Sequence, residues 1–553
     1  MIVYGDPSYQ ESLETLVGRL RARLPAASLD DRRSLLVQAG QLEQAVHDGL
    51  PAILPADESG RVIHLCESAT DVAARAFVGP SHEALRDLPP ILHAIPQIDV
   101  RLRVKVPEGF AFYALYPEAY RDSARRWAAE NPGAAAAVVG VRTIGTALSA
   151  VVAETLRACG LQVRRATVRP SGHPFHRECE LDPALLHGAD WVLVVDEGPG
   201  LSGSSMAAVA EAATAAGFPR GRVAFFPGHG GEPGAEASPS TRRWWAEAPR
   251  YVSSLCELRW EGRALEETLA ELTGRAVEVQ DLSAAQWRRY AYADPADWPA
   301  ATAAFERTKY RVVRDDGSAV LWRFSGLLDS RERETLCHRA ELGLTVPPVG
   351  ETLGFVGVPW VEGARLRSSD RTPEIEDHLT RYISAVAGPP LTRDDGEAAQ
   401  ARLIEMLVAN AREAFGDDAA ERAAALATDV QASAELPTYG DGRLAPHEWV
   451  RARDGRLVKT DGVGHDRDHT TIGRQPIAWD VAGAIVEWDL GPSFASRCGM
   501  AADAARFYCA AYAAFRLGLC AMSAGMTADE SERARLKSAE GRYRDALTRA
   551  LGY

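Results

Sequence analysis

Residues 191–206 read WVLVVDEGPGLSGSSM: an unbroken apolar run, two carboxylates, a loop of small residues, then the start of an Ala-rich helix. An apolar run without polar alternation predicts a strand buried on both faces, the mark of a parallel sheet. On either side the pattern repeats. IDVRLRVKV (98–106), AAAVVGV (135–141), VRRATV (163–168) and RVAFF (222–226) read as strands, and ALSAVVAETLRACG (147–160) and SMAAVAEAATAAG (205–217) as helices. Alternating strands and helices predict an α/β domain whose ligand loops lie at the carboxyl ends of its strands.

The first of these loops suits a sugar phosphate. Asp196 and Glu197 emerge at a strand end, where carboxylates accept hydrogen bonds from vicinal hydroxyls. Gly198, Gly200, Leu201, Ser202, Gly203, Ser204 and Ser205 let backbone amides close around phosphate oxygens, and the helix that follows adds its positive end.

This segment resembles the donor signature of type I phosphoribosyltransferases, with Ser202, Gly203 and Ser205 at the positions of its Thr-Gly-x-Thr, one extra residue among 198–201, and Glu for the second Asp. Upstream, AVVGVRTIGTALSAVVAETL (137–156) resembles the family's diphosphate-binding loop at Val141, Arg142, Thr143, Ile144, Gly145 and Thr146. Between the two, VRPSGHPFHRE (168–178) stands where the family has a catalytic lid. The resemblance implies that Arg169, His173 and Arg177, with Asp196 and Glu197, serve transfer of a 5-phosphoribosyl group, the cations neutralising a departing diphosphate. Phe110, Phe112, Tyr113, Tyr116 and Tyr120 in PEGFAFYALYPEAY (107–120) either stack a planar acceptor base or pack a core.

From Tyr310 the character changes. YRVVRDDGSAVLWRFSG (310–326) reads as two strands about an Asp-Asp-Gly turn, DSRERETLCHRAELG (329–343) as a helix, and the chain beyond 370 as mainly helical, with extended segments between 436 and 478. ELPTYGDGRLAPHEWV (435–450), RLVKTDGVGHDRDHT (456–470) and PIAWDVAGAIVEW (476–488) place Asp441 and Asp461 as a general base and a magnesium ligand, the minimum that phosphoryl transfer demands.

This region resembles the aminoglycoside phosphotransferase and choline kinase-like family: Tyr439-Gly440-Asp441 for its His-Gly-Asp, Asp461 for its metal Asp, and Asp480 for its structural Asp. The resemblance implies ATP as co-substrate, with a nucleotide site at Val358, Trp360 and Glu362 in GFVGVPWVEGARL (354–366). Arg323 stands where the family has a Lys, and His447 is nearest to its metal-binding Asn. His465, Asp466, Asp468 and His469 either bind a second ion or form a solvated loop.

Composition sets the outer bounds. The 553 residues exceed one hydrophobic core, which predicts a hood at 1–97, a phosphoribosyltransferase-like core at 98–235, an appendage at 236–308 holding Trp244, Trp245, Trp287 and Trp298, and a two-lobed kinase-like α+β domain at 309–553. A net charge of −14 argues against nucleic acid as a partner, and no apolar run comes near a membrane span. The opening MIVYGDPSYQES lacks the flank of a secretory leader, which predicts a cytoplasmic protein. Eight scattered cysteines predict neither disulfide framework nor zinc ribbon. The expected protein is a bifunctional transferase that uses phosphoribosyl diphosphate or a nucleotide, a small-molecule acceptor, ATP and magnesium. The alternative is a ligand sensor with a degenerate kinase-like part.

Overall fold

The computed structural model describes the chain except residues 6, 26–27, 80–81, 201, 235, 329–330, 390–392, 432–439, 466–467, 469 and 553, and the side chains of 82, 393–395, 429 and 431. Two compact units emerge, one of residues 8–268 with 326–329, the other of 1–7, 269–325 and 330–553. Their boundary falls inside the segment expected to be an appendage, and its four tryptophans part company. Trp244 and Trp245 pack beneath the first unit's sheet, while Trp287 and Trp298 belong to the second unit.

In the first unit β1 (Ser8–Ser12) and β2 (Arg101–Lys105) form an antiparallel pair of their own. The strand expected at 98–106 therefore stays outside the parallel sheet. Its alternation explains why: Leu102 and Val104 are buried while Arg101 and Arg103 are exposed, so only one face can be covered. The parallel sheet consists of β3 (Ala136–Val141), β4 (Val163–Val168), β7 (Trp191–Val195) and β8 (Val223–Phe226), ordered β4-β3-β7-β8. β5 (Ser171–His173) and β6 (His176–Glu178) form a hairpin after β4. Because the strand order reverses between β3 and β7, a crevice opens at their carboxyl ends.

Residues 61–68 lie inside helix Ala56–Val78. Val62, Cys66, Ala69 and Ala73 recur at spacings of four, three and four and form its buried stripe. Helix Leu29–Gly49 is tied to the sheet by an ion pair. Arg165 of β4 meets Glu43 at 2.9 and 3.1 Å and Asp71 at 2.6 Å.

The second unit carries a five-stranded antiparallel sheet of β9 (Ala276–Asp281), β10 (Lys309–Arg314), β11 (Ala319–Phe324), β12 (Gly350–Thr352) and β13 (Phe355–Pro359), in the order β12-β13-β11-β10-β9. A second sheet joins β14 (Gly363–Arg365), β15 (Trp449–Ala452) and β16 (Leu457–Lys459). The helical part packs around helix Ala502–Met526, whose Phe507, Tyr512 and Leu517 meet Leu403, Leu407 and Leu547. This helix is long and apolar enough to cross a bilayer by length and composition, which the expectation of no such run missed; most of that stretch is buried inside the unit. An all-round apolar helix is what the centre of a helical core requires. Cys509 and Cys520 lie on it, and Cys520 is buried.

Candidate functional site

In the first unit two helices begin at the carboxyl ends of adjacent strands. Helix Ile144–Ala158 follows β3 and helix Ser204–Ala215 follows β7; neither N-cap residue, Thr143 or Gly203, provides a side-chain cap, and in the second helix Ser202 Oγ accepts from the Ser204 amide at 3.4 Å. Open helix N-termini are ready anion partners. The turn into the first is strained: Thr143, a β-branched residue, sits at φ 125° and ψ −95°. The approach is also close, since a Cβ on Gly145 would lie 2.6 Å from the Val195 carbonyl oxygen. Gly203 enters the second helix at φ 61°. Ile144 and Thr146 are buried, so of this loop Arg142 and Thr143 keep side-chain surface. Leu201 lies outside the described residues.

Of the basic residues expected near this crevice, Arg142 and Arg169 converge on a carboxylate the sequence reading overlooked. Asp48, from helix Leu29–Gly49, accepts from Arg142 Nη1 at 2.9 Å and Arg169 Nε at 3.3 Å, and also pairs with Arg169 Nη2. Burial favours a neutral Asp48, but Arg169, Gln44 and Arg142 outweigh it and hold the carboxyl below its ordinary value. Arg169 also donates to the Arg142 carbonyl at 2.9 Å and to Thr143 Oγ1 at 3.3 Å. At the hairpin tip, the Pro174 carbonyl accepts from Ser204 Oγ at 2.6 Å, which fastens β5 and β6 to the start of helix 204–215. Ser202 Oγ lies 3.0 Å from Ser204 Oγ. Arg177 donates to the Pro170 carbonyl at 3.1 Å, and His173 is exposed.

The two carboxylates differ from the expected matched pair. Asp196 Oδ1 accepts from the Glu197 amide at 2.8 Å, while Glu197 Oε2 accepts from the Gly109 amide at 2.8 Å. Burial pushes Asp196 up to about 6, with Arg177 and Arg169 moderating it; burial, Glu108 and Asp196 push Glu197 up to about 8. Glu197 is thus mostly protonated at neutral pH and turned toward the 108–111 segment. Of the expected stacking aromatics, Phe110, Phe112, Tyr116 and Tyr120 are buried and only Tyr113 is exposed. Packing claims them: the Tyr116 ring sits 4.9 Å from Trp260, and Tyr120 Oη donates to the Asp196 carbonyl at 2.7 Å.

A pH dependence follows. Between the ordinary carboxyl value of about 4 and the raised ones, the folded unit keeps protons that an unfolded chain releases, so its stability falls as pH rises through that window. Glu197→Gln is expected to flatten this fall, read as melting temperature against pH; an unchanged slope would contradict the protonated Glu197.

In the second unit Arg323 of β11 bridges two carboxylates, Glu332 at 2.7 Å and Asp461 at 2.8 Å. Glu332 opens helix Glu332–Glu341 and is also held by Arg307 at 3.0 Å and Ser325 Oγ at 2.7 Å. Asp480 accepts from the Asp441 amide at 2.6 Å and the Gly442 amide at 2.7 Å. Residue 440 must be glycine, because a Cβ there would lie 1.9 Å from Asp480 Oδ2. Burial and the charge of Asp441 raise the Asp480 carboxyl.

Asp441, the expected base, is enclosed. Its oxygens meet His465 Nδ1 at 2.7 Å, Lys459 Nζ at 3.3 Å, Arg339 Nη1 at 3.4 Å and the Tyr382 hydroxyl. Burial favours its neutral form, yet Lys459, His465 and Arg339 hold its carboxyl far below the usual range. So ionised a carboxylate is a weak proton acceptor while this cage holds.

Asp461 comes together with Glu448 and His465, their ligand atoms all within 4.8 Å of one another. The expected partner His447 turns elsewhere. Its ring stacks on Trp287 with centroids 6.1 Å apart, and burial lowers it to about 4, so it is neutral. The carboxylates of Asp461 and Glu448 suit magnesium, whereas an imidazole nitrogen suits it poorly. Both carboxylates contact Arg443, at 3.3 Å in the case of Asp461. Tyr439, Asp466 and His469 lie outside the described residues.

A cavity of about 370 Å³ runs past these groups, lined by Leu321, Arg323, Val356 and Val358 from one sheet face and by Trp360 and Asp461. Glu362, expected to bind nucleotide, is not among its lining residues and instead pairs with Arg311 at 3.6 Å and Arg453 at 3.9 Å.

Fold and sites together define a two-unit α/β chain, with a crevice between helix N-termini in one unit and an ionic cluster beside a cavity in the other. No family model matches the chain, and no curated protein sequence matches it. Among solved structures it is similar to choline kinase LicA from Streptococcus pneumoniae, at 12% identity over 51% of this chain and 98% of that one, with a TM-score of 0.32. It is also similar to macrolide 2′-phosphotransferase type I, at 12% identity over 51% and 97% of the two chains and a TM-score of 0.32. The GDP complex of aminoglycoside 2′-phosphotransferase-IIIa aligns at 14% identity over 51% and 98%, with a TM-score of 0.31. Likenesses at these scores carry no argument about function, which has to come from the side chains.

Proposed function

We propose that the chain is a bifunctional transferase. Residues 269–553 bind ATP and pass its γ-phosphoryl group to a hydroxyl of a small molecule. Residues 8–268 hold a 5-phosphoribosyl compound, phosphoribosyl diphosphate or a nucleotide, and make or break its N-ribosidic bond. One observation carries the kinase reading: Arg323 ties Glu332 to Asp461 beside the cavity while Asp480 fixes the backbone of Asp441. Asp461 and Glu448 would hold a magnesium ion, which when bound screens phosphate charge. On transfer ADP leaves, and the acceptor hydroxyl loses its proton to Asp441 once the cage around that carboxylate opens.

The phosphoribosyl reading is supported by the two helix starts where the strand order reverses, the first of them beside Arg142 and Arg169. The enclosure of Asp441 favours a second reading, a sensor that binds nucleotide without turning it over.

Calorimetric titration of the full chain with phosphoribosyl diphosphate and with ATP, each with magnesium, tests both halves. Two binding events are expected, the first lost in Asp196→Ala and the second in Asp461→Ala. Failure of phosphoribosyl diphosphate to bind removes the transferase reading, and ATP binding without ADP release across an acceptor screen selects the sensor.

A further inference from the structure

The cations lining the second unit's cavity are not equivalent. Arg323 and Arg443 are paired with carboxylates that offset burial and raise both guanidinium groups above their ordinary value. Arg516 meets Glu487 at 3.4 Å, Lys309 meets Glu306 at 2.8 Å, and Arg367 meets Asp297 at 2.7 Å. Arg365 differs. Among the described residues no carboxylate pairs with it, and its two hydrogen bonds both leave from Nη1 to neutral acceptors, the His447 carbonyl at 3.1 Å and Thr460 Oγ1 at 2.8 Å.

Nε and Nη2 of Arg365 have no acceptor among the described residues, and Arg365 lines the cavity. Its guanidinium lies 5.5 Å from the Trp287 ring centre and 5.9 Å from that of Trp360, both cavity-lining residues. Burial depresses its charge, and the more distant Tyr292, Asp461 and Glu448 do not compensate. A half-buried guanidinium with two unused donors beside a cavity is a receptor for an anion, because a charge taken from water needs a partner.

We propose that Arg365 receives a phosphate group already present on the acceptor, so that the molecule phosphorylated in this unit is itself a sugar phosphate. The inference rests on the phosphotransfer reading above and narrows its acceptor. The nucleotide's own phosphates have Arg323 and the Asp461–Glu448 carboxylates with magnesium. Arg365, held on Thr460 and the His447 carbonyl, is left for the second substrate. A reaction that installs or releases a 5-phosphoribosyl group, the one proposed for residues 8–268, is of the class that supplies such a compound.

The test reads individual arginines in the full chain. Phenylglyoxal modification is followed by peptide mass at Arg365 and at Arg323, in the free protein and with ribose 5-phosphate, ribose or MgATP. Ribose 5-phosphate is expected to slow modification of Arg365 about tenfold or more, while ribose and MgATP leave it within about twofold. Protection no better than that by ribose, or equal protection by MgATP, overturns the proposal; in the latter case the anion belongs to the nucleotide. An Arg365 that fails to react in the free chain overturns it as well, since its donors would then not face the cavity. Failure of MgATP to protect Arg323 strikes the phosphotransfer reading, and the Arg365 result with ribose 5-phosphate remains readable on its own.

Discussion

Replacing Arg165 by methionine is expected to destabilise the 8–268 unit by about 3–5 kcal/mol, the cost of breaking a buried ion pair from one side. Arg165 and Glu43 are both buried, Glu43 completely, and the guanidinium grips the carboxylate through two nitrogens while a third nitrogen reaches Asp71. Burial raises the Glu43 carboxyl even with Arg165 present. Without the guanidinium, Glu43 must take up a proton or remain an uncompensated charge. The double variant Arg165→Met with Glu43→Leu is expected to recover most of the loss, because apolar replacements of a whole buried pair are often neutral. Chemical denaturation of the three proteins checks this. A loss below about 1 kcal/mol in the single variant would mean that the pair contributes no more than a surface one.

Arg323→Leu is expected to weaken MgATP binding by about a hundredfold, or roughly 2.7 kcal/mol. The side chain sits between Glu332 and Asp461 and also donates to the Val463 carbonyl at 3.2 Å, so its loss removes the cation that bridges the two carboxylates and leaves Asp461 with Arg443 at 3.3 Å. Arg323→Lys keeps the charge but cannot span both acids, since an ammonium is a compact point donor, and is expected to recover part of the affinity. Glu332 keeps Arg307 in either variant, which preserves the start of helix Glu332–Glu341. Calorimetric titration with MgATP, beside a thermal melt to verify folding, measures the effect. Affinity within about twofold of the wild type in Arg323→Leu would remove this arginine from the nucleotide site.

The same arginine marks a departure from the kinase-like sequence pattern, in which its position carries a lysine. The structure makes the exchange intelligible: two carboxylates and a backbone carbonyl surround the position, and a planar fork with several donors serves three acceptors at once.

What the sequence by itself determined was local. The strands of the parallel sheet, the loops after β3 and β7, the hairpin of β10 and β11 and the Asp480-bearing helix all follow from runs of adjacent residues whose period or turn chemistry announces them. Tertiary structure alone decided which distant groups meet. Asp48 reaches Arg142 from 94 residues away, and Tyr382, Arg339 and Lys459 close on Asp441 from three separate segments. Glu448, not its neighbour His447, comes up to Asp461. No spacing rule connects such residues, because packing of whole elements brings them together, and burial then decides their charge: Glu197 reads as an ionised acid in the sequence and holds its proton in the folded crevice.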